Sequence, residues 1–103
     1  MEVKFMRILV MFDMPTKTKK ERQEYTKFRK RLIKEGFMMM QFSVYMRICK
    51  GITSASNHLS KIETYLPRDG NIRGLILTEK QFDNMKIMLG KPSVNEVKNS
   101  PYN

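Results

Sequence analysis

Cysteine, histidine and tryptophan are almost missing from this chain: one Cys, one His and no Trp in 103 residues. A single cysteine, Cys49, forms no internal disulfide, which fits a reducing compartment, and with His58 as the only histidine no Cys/His cluster has metal-ligand spacing. A zinc site is thereby excluded. No run of about 18 apolar residues exists to span a bilayer, and the N-terminus lacks the long apolar region and small-residue cleavage site of a signal peptide, so a cytoplasmic protein with no membrane partner is expected. Acidic residues are also scarce. Against 10 Asp and Glu stand 20 Lys and Arg, a formal net charge of +10. So large a surplus on so small a body makes a positive field whose natural partner is a polyanion, nucleic acid before anionic lipid. The length suits one domain with a modest core, and small domains commonly gain stability by pairing with a second copy, so a homodimer is expected.

Lys4 to Phe12 is a short apolar run with little alternation, the pattern of a strand covered on both faces. Thr18-Lys19-Lys20-Glu21 is a capping-box pattern that starts a helix, Tyr25, Phe28 and Leu32 fall on one stripe of it, and Gly36 closes it after about Glu35. Phe37 to Cys49 has no proline or glycine and reads equally as one long strand or as two joined by a very tight turn. Gly51 to Ser56 reads as loop, Leu59, Ile62 and Leu66 as the stripe of a second helix, and Pro67-Arg68-Asp69-Gly70 as a stop and turn. Ile72 to Thr78 reads as a strand, Thr78-Glu79-Lys80-Gln81 as a second capping box on a short turn, and Met85 to Leu89 as an additional C-terminal strand.

With the 37–49 segment broken in the middle, this order is the β-α-β-β-α-β arrangement of a ferredoxin-like α+β fold over residues 1–90, followed by a flexible tail over 91–103. Both helices would cover one face of the sheet. The other face would be covered by a second protomer, and Met85, Ile87 and Leu89 would add to that partner's sheet edge.

Lys19, Lys27, Lys30 and Lys34 fall opposite the Tyr25/Phe28/Leu32 stripe, flanked by Arg22 and Arg29, with only Glu21 and Glu24 as acids between residues 17 and 34. A merely soluble helix face mixes signs to relieve repulsion, so this ridge is read as a phosphate-binding surface without base-specific readout. Asp13 is the one acid embedded in an apolar neighbourhood at a strand end. It either caps the backbone before Pro15 or does chemistry. One carboxylate binds Mg²⁺ weakly, so the chemical reading needs a second copy of Asp13 brought to a shared cleft by a symmetric dimer.

The run "RILVMFDMP" followed by a basic helix, then "EGFMMMQFSVYMRI" and "GNIRGLILTEKQF", resembles CRISPR-associated protein 2, the small adaptation protein, especially the versions of systems with a single large effector nuclease. The resemblance covers about residues 5 to 90. It implies a ferredoxin-like homodimer that bridges two dimers of the CRISPR-associated protein 1 integrase and holds the double-stranded DNA prespacer. It also implies, for some members, a Mg²⁺-dependent endonuclease acting through the aspartate that Asp13 matches, so that Asp13 would be both the catalytic residue and the metal ligand. Basic residues that grip the DNA backbone in the family match Lys17, Lys19, Lys20, Arg22 and Lys91; Lys27 and Lys30 join them on the ridge. Lysine in place of the arginine of some relatives puts bidentate phosphate contacts in doubt but leaves charge neutralisation. The resemblance splits the 37–49 segment into two strands near Gln41 to Ser43; Tyr45, an aromatic residue on a strand, then reads as core or dimer interface, and the methionines of 38–40 as adaptable core and interface filler. His58 reads as a surface residue.

Overall fold

The structure, a computed structural model, describes residues 4–93. β1 (Phe5–Asp13), α1 (Lys19–Lys34), β2 (Met38–Gln41), β3 (Val44–Lys50), α2 (Ile52–Ile62), β4 (Asn71–Thr78) and α3 (Glu79–Asp83) follow in chain order, with a 3-10 turn over Glu63–Tyr65. The sheet is antiparallel throughout, in the order β2-β3-β1-β4. This is the ferredoxin-like α+β architecture expected from the sequence, and β1 is central because its residues are apolar on both faces.

Met6, Ile8, Val10 and Phe12 of β1 point to the helices and join Phe28, Leu32, Phe37, Tyr45, Cys49, Ala55 and Ile62 in the main core. Tyr45 is 1% exposed. Of the two places expected for it, core and dimer interface, it therefore occupies the core of its own chain; its register opposite Val10 fixes that side. α1 begins as the capping box requires. Glu21 N–H donates to the Thr18 hydroxyl at 3.1 Å while Thr18 N–H donates to the Glu21 carboxylate at 2.9 Å. Thr78 and Gln81 repeat the arrangement on α3.

Four expectations need correction. The segment 52–56 is helix, not loop, because Ala55 is fully buried and tertiary packing overrides the weak helical propensity of its Thr, Ser and Asn neighbours. Leu66 leaves the α2 stripe and is half exposed: the 3-10 turn tightens the chain so that Tyr65 packs on the core instead, and Pro67 holds Leu66 extended. His58 is half-buried rather than on the surface. Met85 to Leu89 forms no strand within the described residues; a strand needs a hydrogen-bonding edge beside it, and the segment reaches none in its own chain. Of the tail expected over 91–103, residues 94–103 lie outside the described residues.

The second face of the sheet is partly covered by the chain itself. α3 folds back so that Phe82 packs on Leu9 and Met46. Arg7, only 4% exposed, holds it there: its guanidinium pairs with Glu79 through two bonds of 2.8 and 3.2 Å and lies 4.1 Å from the Phe82 ring centre. Met38, Ile48, Leu75, Met85 and Ile87 remain exposed in part. Met40 packs against the second-face cluster, while Met39 is exposed in part.

Candidate nucleic-acid interface

One end of the molecule brings together four of the residues named from sequence. Asp13 is the last residue of β1, Lys17 lies in the loop that follows, and Lys19 and Lys20 open α1. That loop is held from both sides. Glu21 accepts from Lys17 N–H at 2.8 Å, and the Arg22 guanidinium donates to the carbonyls of Thr16 and Lys17 at 3.1 and 2.8 Å. Arg22, expected to grip phosphate, thus also shapes the loop that presents Lys17, a role no sequence pattern reveals.

Opposite Asp13 in the sheet is Asn71, and the turn before it packs tightly. A Cβ at Gly70, where φ is +119°, would sit 2.7 Å from the Asp13 carbonyl oxygen, so only glycine lets this turn close against the strand end. The closure brings Pro67, Arg68 and Asp69 to a crevice shared with Met14, Pro15, Thr18, Lys20, Glu21 and Glu24. In the sequence Arg68 and Asp69 are legible only as turn residues.

Asp13 is exposed. Among the described residues no three His, Cys, Asp or Glu side chains gather to hold a metal ion. Mg²⁺ keeps several of its waters and is usually held by one or two carboxylates, so the single Asp13 carboxylate would hold it weakly.

The ridge of α1 is as expected: Lys19, Lys27, Lys30 and Lys34 are exposed, opposite the buried Phe28 and Leu32. Lys19, Arg22, Lys27 and Lys30 line one shallow groove along the helix. Ion pairs join Arg7 to Glu79 and both Arg31 and Lys61 to Glu35, and none of these engages the four lysines. The paired cations serve the fold, and the four lysines of the ridge stay exposed. Lys91 is exposed in the segment after α3.

A second cluster lies at the far end of α1. The Lys61 ammonium on its carboxylate, helped by Arg31 and opposed by burial, holds Glu35 below the usual carboxylate range. Arg31 stacks 4.4 Å over Tyr65, whose hydroxyl burial pushes up to about 12. Burial first, then the charges of Arg47 and Lys61, lower the pKa of His58, so it is neutral near pH 7 and contributes nothing to the ridge. No described helix is long and apolar enough to cross a membrane.

The model of the family described as "CRISPR associated protein Cas2" matches residues 6–85. The chain is 55% identical over 102 residues to a "CRISPR-associated endoribonuclease Cas2" of Campylobacter jejuni, covering 99% of this chain and 71% of that one. Proteins of the same name match from Ligilactobacillus salivarius, at 50% identity over 92% of this chain and 93% of the relative, and from Acidovorax ebreus, at 45% over 90% and 91%.

Proposed function

The chain belongs to the CRISPR associated protein Cas2 family, and from that premise we propose that it is a DNA-binding scaffold of spacer acquisition. In this reading a homodimer bridges dimers of the CRISPR-associated protein 1 integrase and holds the prespacer duplex by its phosphates. The observation that carries the reading is the row of exposed, unpaired lysines on α1. Lysine ammonium groups on flexible stems neutralise phosphates without reading bases, which is what a protein that must hold arbitrary DNA requires. The homodimer is supported by the unpaired outer edge of β4, the last strand of the sheet, and by the exposed Met85, Ile87 and Leu89 that follow α3.

Binding to two duplexes of equal length and unrelated sequence, measured over a range of salt, tests the scaffold reading. Equal affinities with a steep negative slope of log affinity against log salt are expected. Affinity that differs by more than tenfold between the duplexes, or that ignores salt, would refute it.

A second reading is favoured by the names of the relatives, each called an endoribonuclease: a Mg²⁺-dependent endonuclease in which Asp13 from both copies supplies the carboxylates. It draws on a second copy of Asp13, because a single carboxylate would hold Mg²⁺ weakly.

A further inference from the structure

Four aromatic rings run from the core to solvent. Phe28 meets Phe12 edge-on with centroids 5.2 Å apart, Phe12 meets Tyr25 at 5.8 Å, and Tyr25 stacks on Phe42 at 5.9 Å with 22° between planes. The last ring ends in water, for Phe42 is 76% exposed. It sits in the turn between β2 and β3, beside the end of β1 that carries Asp13.

Tight hairpin turns usually employ Gly, Asn or Asp. Here the two residues are Phe42 and Ser43, and Ser43 takes φ +63°, a left-handed conformation that costs a residue with a side chain. Three contacts hold it in place. The Ser43 carbonyl accepts from Phe12 N–H at 3.0 Å, the Ser43 and Tyr25 hydroxyls share a hydrogen bond of 3.2 Å, and the Tyr25 ring backs Phe42. A large flat ring is thus presented outward on a braced turn instead of being folded over the core. Its surroundings are cationic. On α1, Tyr25 has Arg22 three residues before it and Arg29 four after it, neighbours on the helix surface.

An acidic peptide would satisfy the arginines but would gain little from a flat ring already stacked on another. A nucleotide offers both an anionic phosphate and a π-face. We propose that Phe42, backed by Tyr25, is a stacking platform for an unpaired base at an end or fork of the DNA, with Arg22 and Arg29 neutralising the adjacent phosphates. The proposal rests on the DNA-binding reading and adds to it a site for a base left unpaired beside the duplex.

The test uses the full chain, a blunt duplex, and the same duplex with an unpaired tail carrying 2-aminopurine. Phe42→Ala is expected to weaken binding of the tailed duplex by about tenfold, within the range of base–aromatic stacking, and to abolish quenching of 2-aminopurine fluorescence. Phe42→Trp is expected to restore both, and the salt slope stays unchanged because stacking releases no counterions. Equal binding and quenching by Phe42→Ala and the unaltered chain overturn the platform, as does a change in oligomeric state with Phe42→Ala, which would make the ring a contact between copies. Failure of the unaltered chain to bind the blunt duplex overturns the DNA-binding reading, whereas normal blunt-duplex binding with an indifferent Phe42→Ala overturns the platform alone.

Discussion

Reversing Lys19, Lys27 and Lys30 to Glu is expected to lower affinity for any duplex by on the order of 10²- to 10³-fold near 0.1 M salt, and to flatten the salt slope by about 0.9 for each phosphate that is no longer neutralised. The three side chains are exposed, lie on one face of α1 and take part in none of the ion pairs among the described residues, so their reversal breaks no internal ion pair there. The fold should survive, with an unchanged circular dichroism spectrum and thermal midpoint within a few degrees. Neutralising Lys17, Lys20 or Lys91 should act in the same direction with smaller effect. Unchanged affinity and slope in the triple variant would leave the ridge as an ordinary solvated helix face.

Ending the chain after Asn84 is expected to convert a dimer into a monomer or an aggregate and to abolish copurification with the integrase. Met85, Ile87 and Leu89 are each at least two-fifths exposed in one chain. Ahead of them in the chain is β4, whose unpaired outer edge a protein must cover or pair. Leu89 has almost its whole surface left to bury and Met85 and Ile87 less than half of theirs, so burying the three against a partner would contribute roughly 3 kcal/mol, a change in dimer affinity of about 10²-fold. The cut leaves Arg7, Glu79 and Phe82 in place, so the second-face packing within the chain is preserved. An intact, active dimer lacking residues 85–103 would remove the segment from the interface; light scattering and copurification decide.

What can be read in the sequence is local or periodic. The capping boxes at Thr18/Glu21 and Thr78/Gln81 involve residues three apart, and the lysine ridge follows from the helical repeat. The β2–β3 turn is undecidable from the residues themselves because Phe42 is not a turn-former and Ser43 does not favour the left-handed φ it takes; Ser43 is held there by Phe12 and Tyr25, which are distant in the chain. The fold-back of α3 is equally hidden, since it depends on Arg7 and Glu79, 72 positions apart. Such a pair leaves no periodic trace. Apolarity alone makes Met85 to Leu89 look like a strand, whereas strand formation depends on pairing with a sheet edge, and the segment pairs with none in its own chain. At the candidate site, the lysines are legible and the loop-shaping bonds of Arg22 are not, because backbone carbonyls carry no sequence signature.

Asp13 is the sharpest divide between scaffold and nuclease. One exposed carboxylate with no metal-binding cluster around it among the described residues is a poor source of chemistry for a net-basic protein. The decisive measurement is spacer integration by the reconstituted complex of integrase, prespacer and this chain, carrying either Asp13→Ala or the triple reversal of Lys19, Lys27 and Lys30. With charge as the working element, Asp13→Ala integrates at close to the normal level and the triple reversal fails. Loss of integration with Asp13→Ala, while the dimer and the integrase complex still form, would contradict the account.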